Sequence, residues 1–399
     1  MRLDPAKTSL LVLALCATQG CRSGARSEQT SDGHERQDPP PACVLVEDDY
    51  GPDGKVPVKA VRVVSGLEVP WSIAFLPGGD MLVTERPGRL RLVKDGSLVP
   101  DPVMTVPVVG GAGEGGLLGL ALHPDFAKNR LFFVFFTHDE GGGPENRVAR
   151  YHLADDARSA TFDRVILDGI RAHTFHDGGR LRIGPDGMLY VGTGDGGDPN
   201  RSRDRASLNG KVLRLTPDGE IPTDNPFPGS PVWLSGLRNT EGFDWISDDT
   251  MLVADHGPSG EFGRRGHDEL NVARRGGDLG WPTIFGCETA PDLVTPIISW
   301  DKAVPPGGIA LDRDGRIPEW KGSVLMGTLG SRHLHRFVLH DERVASHEVY
   351  FRGDPPKGLG RLREVIVGPD GAIYVTTSNC DGRGSCPVTK DEIVRIEPQ

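Results

Sequence analysis

The sequence predicts an all-β fold in which six similar units form a six-bladed β-propeller, and three observations support this prediction. Glycine and proline account for 54 and 33 of the 399 residues, which is typical of a chain with many tight turns and short strands. No long window shows the apolar period of an amphipathic helix. Turn-and-strand segments recur six times at intervals of about 50–65 residues, the period of four-stranded blades.

The six segments are the predicted centres of the blades. Each combines a turn marked by proline or Asp-Gly with a short β-rich run. They lie at residues 76–85, 123–136, 184–195, 247–257, 312–329 and 368–378. Residues 59–66 and 391–398 are expected to share the closing blade, because pairing them removes exposed sheet edges. The predicted propeller domain covers residues 56–399.

The N-terminus predicts export. Within residues 1–20, two basic residues precede an apolar run at 10–17, which has the length of a signal-peptide core and is too short to cross a membrane. Cys21 then stands where a bacterial lipoprotein would be cleaved and lipidated; plain secretion is the alternative. The chain is therefore expected in the periplasm or at the cell surface. Residues 21–55 are polar and rich in proline and glycine, which predicts a flexible linker.

Export also makes disulfides the expected state of the cysteines. Cys380 and Cys386 flank a short turn-rich loop and are expected to pair locally, which leaves Cys43 for Cys287. No CxxC pair exists, so a thiolate zinc site is not expected. The net charge of −11 argues against a nucleic-acid partner and suits metal cations instead.

One pair of residues predicts acid–base chemistry. His176 and Asp195 lie on either side of "LRIGPDGMLYV", and a tight hairpin brings the ends of such a segment together. His176 would then be a general base, and Asp195 would orient its ring and stabilise the imidazolium. The alternative is a surface histidine in a turn, which is how we interpret His173.

Four further segments carry ligand-binding side chains or carbonyls. In the first segment, Glu114 supplies a carboxylate within a glycine-rich turn. Two other segments carry arginines, whose forked guanidinium groups suit an anionic ligand. The turn at Gly257 and Pro258 offers backbone carbonyls of the kind that Ca²⁺ accepts, close to the paired carboxylates of Asp268 and Glu269. The arginines and their neighbour in these segments are Arg238, Asn239, Arg361 and Arg363.

At this point the chain resembles a known family. The motifs "GEGGLLGLALHPDF", "HDGGRLRIGPDGMLYVGTGDGG", "GLRNTEGFDW", "DHGP…DELN…GWP" and "GRLREVIVGPDG" resemble, in order, those of the soluble quinoprotein sugar dehydrogenases, which depend on pyrroloquinoline quinone (PQQ). The resemblance covers roughly residues 60–398. It implies a six-bladed propeller with PQQ held over Ca²⁺ at the channel mouth, and oxidation of the C1 hydroxyl of a sugar to a lactone.

The resemblance also implies roles for individual residues. His176 matches the catalytic base and Asp195 its orienting partner, while Gly257 and Pro258 match main-chain ligands of Ca²⁺. Glu269 matches a ligand that several members use for a second Ca²⁺. The positions that match PQQ contacts are Glu114, Arg238, Asn239, Arg361 and Arg363.

The sequence departs from the family pattern at three positions. Glu114 replaces a neutral glutamine and adds negative charge beside an anionic cofactor. Gly330 stands where a PQQ-contacting lysine is expected, and Arg332 is close enough in the chain to substitute for it. Leu279 replaces the aromatic residue that helps to form the second calcium site at Glu269.

The sequence therefore predicts an exported enzyme that depends on PQQ and Ca²⁺ and transfers electrons from small aldose sugars to a soluble acceptor. One alternative is a binding propeller of the same lineage that has lost PQQ, favoured by the missing lysine. Another is a Ca²⁺-dependent, lactonase-type hydrolase, which would need side-chain carboxylates and asparagines around the metal.

Overall fold

A computed structural model of the protein describes residues 42–110 and 113–399. The predicted signal peptide, Cys21 and the first part of the predicted linker lie outside the described residues. The described chain folds into six largely antiparallel sheets that follow one another along the sequence, which confirms the predicted six-bladed propeller. In the described residues, no helix has the length and apolar character that a membrane span requires.

The first three blades contain four strands or more each. Blade 1 also pairs a short strand with β5. Their strands are β3 (Pro70–Phe75), β4 (Met81–Glu85), β5 (Arg89–Lys94), β6 (Ser97–Leu98) and β7 (Met104–Thr105) in blade 1; β8 (Leu117–Leu122), β9 (Leu131–His138), β10 (Glu145–Leu153) and β11 (Ala160–Arg171) in blade 2; and β12 (Gly178–Ile183), β13 (Leu189–Thr193), β14 (Val212–Leu215) and β15 (Val232–Leu234) in blade 3.

The other three blades include the strands of both ends of the described chain. Their strands are β16 (Thr240–Ser247), β17 (Thr250–Asp255), β18 (Glu269–Arg274), β19 (Ile298–Trp300) and β1 (Val44–Val46) in blade 4; β20 (Pro306–Leu311), β21 (Ser323–Thr328), β22 (Leu334–His340) and β23 (Arg343–Tyr350) in blade 5; and β24 (Leu362–Val367), β25 (Ile373–Thr377), β26 (Asp391–Pro398) and β2 (Val58–Leu67) in blade 6. Helical structure is limited to α1 (Phe126–Asn129) and 3₁₀ turns at Pro199–Arg201, Glu261–Gly263 and Pro318–Trp320.

Ring closure follows the prediction from the two ends of the chain. Strand β2 pairs antiparallel with β26 over Val58–Leu67, so blade 6 combines the beginning and the end of the propeller. The first strands of blades 1 to 6 contact their neighbours in sequence, and that of blade 6 contacts that of blade 1. Six apolar clusters fill the interior, and Phe132 to Phe135 are fully buried on both faces of β9 because each blade packs between two others.

The predicted linker is corrected at its C-terminal end. Residues 42–55 are bound to the propeller: β1 adds parallel to β19, and the Tyr50 ring stacks on His333 at 5.2 Å. The physical reason is that Val44 and Val46 pack on the apolar cluster between blades 4 and 5, while Cys43 is tied to Cys287 by a disulfide.

Both predicted disulfides are present. Cys43–Cys287 joins residues 244 positions apart, so it fixes the N-terminal strand on blade 4. Cys380–Cys386 closes a loop after β25, and this loop proves important for the site described next.

Candidate active site

A cavity of about 640 Å³ lies where the first strands of five blades begin. Glu114, His176, Arg238, Pro305 and Arg361 each precede or begin the first strand of blades 2 to 6. Because the N-terminal ends of these strands share one face of the ring, residues far apart in sequence converge there. The remaining lining residues are Phe175, Glu241, His256, Ser259, Gly260, Glu261, Leu329, Gly330, Arg363 and Arg383.

His176 and Asp195 are in contact, as their hairpin predicts. His176 Nδ1 lies 2.7 Å from Asp195 Oδ1, and since a carboxylate only accepts, Nδ1 carries the proton. Asp195 is fully buried and also accepts from Gly197 N at 2.8 Å and from Trp281 Nε1 at 3.0 Å. Nδ1 is therefore committed to Asp195, and His176 lines the cavity.

The backbone of His176 is held in an unusual conformation. Its φ of 65° lies in the left-handed region, which costs a residue with a side chain of the order of 1 kcal/mol. Its N–H donates to Glu114 Oε2 at 2.7 Å. A Cβ on Gly194 would lie 2.0 Å from the His176 carbonyl oxygen. Glu114 and Gly194 thus fix where the histidine enters the cavity.

The negative charge of Glu114 has a local partner. Arg383 Nη1 donates to Glu114 Oε1 at 2.9 Å. Although burial opposes ionisation, the His176 N–H and Arg383 prevail and lower the pKa of Glu114 to about 2. Arg383 belongs to the loop closed by the Cys380–Cys386 disulfide, so this loop delivers a cation to the cavity.

Two buried arginines form the next part of the lining. Arg361 donates through Nε to Asp381 Oδ2 at 2.8 Å, and Arg363 pairs through Nη1 with Glu241. Burial alone would lower the pKa of Arg363, but Glu241 and Asp381 raise it instead. Its Nε is buried without a hydrogen-bond partner.

Arg238 enters the cavity beside His176. It donates to Glu261 Oε1 at 2.7 Å and to Ser259 Oγ at 3.2 Å, and its guanidinium lies over the Trp281 ring. Glu261 is also 4.0 Å from His176 Nε2. Arg238 Nε has no hydrogen-bond partner. A carboxylate therefore already occupies one side of this arginine, close to the histidine.

Two buried aspartates position the turn at Gly257 and Pro258. Asp255 accepts from the N–H groups of Arg238 and Asn239 at 2.7 and 2.8 Å. Asp268 accepts from Gly257 N at 3.0 Å. Only glycine fits at 257, because a Cβ there would lie 2.0 Å from the Gly266 carbonyl oxygen. The turn is thus held rigidly next to His256 and Ser259 of the lining.

Three predicted ligand residues lie elsewhere. Arg332 is outside the lining and pairs with Asp354, which corrects the expectation that it replaces the missing lysine; its φ of 56° turns the chain at that point. Asn239 Oδ1 accepts from Gly178 N at 2.9 Å and supports the scaffold instead of lining the cavity.

Glu269 is the third. It lies on β18, where its carboxylate accepts from Asn271 Nδ2 at 3.0 Å, and it is not among the cavity lining. Burial and the nearby carboxylates of Asp255 and Asp268 raise its pKa well above the usual range. The calcium ligand predicted at Glu269 therefore lies outside this cavity, and its role in a second calcium site stays a prediction.

Sequence reasoning missed several lining residues. The sequence analysis used the loop that contains Arg383 only for its two cysteines. This loop follows a strand that ends at the cavity face, and that position could have indicated that Arg383 lines the cavity. Glu261 and Glu241 carried no motif of their own. Trp281, in "GWP", was noted for the family pattern but not as a hydrogen-bond donor to Asp195.

The channel beneath the cavity is closed by charged side chains. Arg180, which is fully buried, pairs with Glu364, and Arg182 Nη2 donates to Glu364 Oε1 at 3.0 Å. Burial lowers the pKa of Arg180 to about 10. The Glu364 carboxylate is thus engaged on both oxygens and does not face the cavity.

Comparison with known proteins places these features in context. The profile of the family described as "Glucose / Sorbosone dehydrogenase" matches residues 67–390. An uncharacterized Synechocystis protein is 36% identical over 82% of this chain and 85% of its own length. The aldose sugar dehydrogenase YliI of Escherichia coli is 29% identical over 84% of this chain and 91% of its own length. The solved structure of the PQQ-bound aldose sugar dehydrogenase from Streptomyces coelicolor is 36% identical, with a TM-score of 0.76, covering 87% of this chain and 99% of that one.

Proposed function

The chain belongs to the glucose and sorbosone dehydrogenase family, and on that premise we propose that it is a PQQ- and Ca²⁺-dependent dehydrogenase that oxidises the C1 hydroxyl of aldose sugars to lactones. The observation that carries the proposal is the His176–Asp195 pair, bonded at 2.7 Å, at the edge of a cavity lined by four arginines.

The lining fits a flat polyanion. PQQ carries three carboxylates, and the cavity presents Arg238, Arg361, Arg363 and Arg383. The buried Nε atoms of Arg238 and Arg363 have no hydrogen-bond partner, and buried donors are normally satisfied. The cavity volume of about 640 Å³ falls in the usual range for small-molecule sites. Arg383 supplies the positive charge that Gly330 does not.

The turn at Gly257 and Pro258 would hold Ca²⁺ through main-chain oxygens, which this ion readily accepts. Support comes from the way the turn is built. Asp268 accepts a hydrogen bond from the Gly257 N–H, and Asp255 accepts one from the Arg238 N–H. The turn and the backbone of Arg238 are therefore each held by a buried aspartate, which fixes where Ca²⁺ and the anion beside Arg238 would bind. No side-chain carboxylate is required in this arrangement.

The chain's own residues then perform the proton chemistry. His176 takes the proton of the C1 hydroxyl on Nε2, since Nδ1–H is already donated to Asp195. The Asp195 carboxylate stabilises the imidazolium that forms, as a positioned base requires. Trp281 and Gly197 keep Asp195 in place, and Arg238 orients anionic groups beside the histidine. When bound, PQQ would accept the hydride, with Ca²⁺ as the Lewis acid.

The alternatives have less support. The binding-propeller reading rested on the missing lysine, and Arg383 provides a cation in the same cavity. A lactonase-type site needs free carboxylates and asparagine in the channel, whereas Glu364 is bonded to two arginines and Asn239 to Gly178.

Export of the chain is part of the proposal. Two disulfides are typical of proteins that fold in an oxidising compartment such as the periplasm. Attachment through a lipid on Cys21 would anchor the exported protein to a membrane.

The test is reconstitution of the purified full chain. PQQ and CaCl₂ are added, and reduction of an electron-accepting dye is followed with a panel of aldoses, alongside the absorbance of PQQ on titration with protein. We expect turnover with at least one aldose, dependent on both additions. Absence of turnover with every sugar, together with an unchanged PQQ spectrum, would overturn the proposal. An altered spectrum without turnover would overturn the assignment of aldoses as substrates, whereas the binding propeller, which has lost PQQ, predicts an unchanged spectrum.

A further inference from the structure

A second group of ionisable side chains lies on blade 2, away from the cavity. His138 ends β9, Glu145 begins β10, and Asp168 lies on β11. One nitrogen or oxygen atom from each lies within 4.8 Å of the others. Glu145 stands directly opposite His138 in the β9–β10 register, so the pair is fixed by the sheet and does not depend on a loop.

His138 is the unusual member of the group. Its side chain is only 10% exposed, yet neither ring nitrogen makes a hydrogen bond. The nearest acceptors are Asp168 Oδ1, 3.4 Å from Nε2, and Glu140 Oε1, 3.6 Å from Nδ1. Because buried polar atoms are normally hydrogen-bonded, an imidazole held at ion-pair distance from carboxylates, without a hydrogen bond of good geometry to either, is suited to sharing a cation with them.

Arg147 organises the carboxylates around this histidine. It donates to Asp168 Oδ2 at 2.6 Å and to Glu140 Oε1 at 2.7 Å. This contact uses one oxygen of Asp168 and leaves Oδ1 on the side of His138. With Glu145 included, the group holds three carboxylates and one arginine, so it carries net negative charge when His138 is neutral, which favours an added cation.

We propose that His138, Glu145 and Asp168 form a binding site for a divalent transition-metal ion, of which Zn²⁺ is the best match. A set of one imidazole and two carboxylates suits zinc, whereas calcium and magnesium prefer oxygen alone. Zinc bonds of about 2.0–2.1 Å require the ligand atoms to approach to roughly 3.3 Å of one another. Rotation of the Glu145 and Asp168 side chains supplies that movement, since the Asp168 side chain is 42% exposed.

The bound ion would brace three strands behind the cavity. It would join the ends of β9, β10 and β11 at the point where the chain continues to His176. Asn146, next to Glu145, donates to Asp177 Oδ1 at 2.9 Å, and Asp177 follows His176 directly. The three side chains would supply three ligands, and the exposed edge at Asp168 leaves the fourth coordination position to water. The site would therefore stabilise the strands while keeping one open position on the metal. It does not depend on the function proposed above.

The experiment measures zinc binding to the full chain without PQQ or Ca²⁺. Protein freed of metal with EDTA and then of EDTA is titrated with ZnCl₂ in competition with a chromogenic chelator, and the thermal midpoint is recorded with and without zinc. We expect one equivalent bound and a higher midpoint with zinc, since a ligand that binds only the folded state stabilises it. His138→Asn and Glu145→Gln should each weaken binding by about tenfold or more.

Two matched variants control the experiment. His340→Asn removes an exposed histidine that lies 3.4 Å from Asp341 and should leave binding unchanged. His176→Asn removes the cavity histidine and should retain the equivalent, which separates this site from the cavity. Glu145→Gln keeps size and hydrogen bonding, so it tests the site even where His138→Asn lowers stability in zinc-free buffer.

Three results would overturn the proposal. The first is no zinc bound by the wild-type chain at concentrations up to about 100 μM. The second is binding that persists unchanged in both His138→Asn and Glu145→Gln. The third is a midpoint raised equally by CaCl₂ and ZnCl₂ regardless of His138.

Discussion

The histidine at the cavity and a row of three histidines in blade 5 have opposite surroundings. His176 lies at the cavity of blade 3, bonded through one nitrogen to a buried carboxylate. His333, His335 and His347 form a row in blade 5, where His333 Nε2 lies 3.2 Å from His335 Nδ1 and His335 Nε2 lies 3.1 Å from His347 Nδ1. His176 thus has a carboxylate on one side and the cavity on the other, whereas the histidines of the row contact other imidazoles and aromatic rings.

The difference lies in which charge state the surroundings stabilise. Burial lowers the pKa of His333 to about 4, and burial with neighbouring imidazoles lowers that of His335 well below its usual range. His335 also stacks on Phe337 with ring centroids 4.4 Å apart. The row therefore stays neutral and structural. Asp195, by contrast, accepts the Nδ1 proton of His176 at 2.7 Å and leaves Nε2 to act as a general base.

Replacing the cavity histidine should have the largest effect. His176→Gln retains a polar side chain but cannot take up the hydroxyl proton, so we expect kcat to fall by about 10²–10⁴-fold while PQQ binding changes little. Dye-reduction kinetics and PQQ titration measure the two quantities. His347→Gln, in the row, should keep near-normal turnover. A rate within about twofold of wild type for His176→Gln would remove this residue as the base.

Replacing Asp195, the carboxylate partner of His176, should have the next largest effect on turnover. Gly197 and Trp281 donate to different oxygens of Asp195, so Asp195→Asn keeps an acceptor for only one of them. It also no longer stabilises an imidazolium, so we expect kcat to fall by roughly 10–10³-fold. Dye-reduction kinetics measures kcat, and PQQ titration should show an affinity close to that of the wild type. A kcat within about twofold of wild type would show that the Asp195 carboxylate does not support the base.

The cations of the cavity allow a sharper test of position. Arg383→Gln removes the partner of Glu114 and should weaken PQQ binding by about ten- to a hundredfold, the value of a charge-assisted hydrogen bond. Arg332→Gln is the matched control, because Arg332 pairs with Asp354 outside the lining, and it should bind PQQ like the wild type. The reverse order of affinities would mean that the loop at 380–386 does not complete the cavity.

The smallest effect is a pH dependence from the row. Since the folded-state pKa of His333 is about 4 against about 6.5 unfolded, the unfolded chain binds more protons below pH 6.5. Stability from the row is thus present above about pH 6.5 and lost progressively as the pH falls towards 4, by an amount on the order of 2 kcal/mol.

His333→Gln isolates that contribution. Glutamine can donate and accept within the row but does not take up a proton at these pH values, so the thermal midpoint should fall less steeply from pH 7 to 5 than in the wild type. Asp177 and Asp255, whose pKa values burial raises to about 6, act in the opposite direction and are common to both proteins. Parallel curves for the two proteins would show that the row does not titrate.

Much of the architecture could be predicted because it is encoded locally. Each blade begins with a short turn and an apolar run, and both signals lie within about ten residues of sequence. The contact of His176 with Asp195 was equally accessible, since one hairpin spans the distance between them. The local disulfide at Cys380 and Cys386 follows from the same kind of short-range signal.

The sequence by itself thus determined the six blades, their closure and the histidine–aspartate pair. Only the tertiary structure decided which charges meet. Arg383 reaches Glu114 across 269 positions of sequence, while Arg332, close to the expected position, turns towards Asp354. The physical reason is that closing the ring brings loops from all blades to one face, and the partner of a charge there depends on the neighbouring loop's path and on burial, neither of which is written in local sequence.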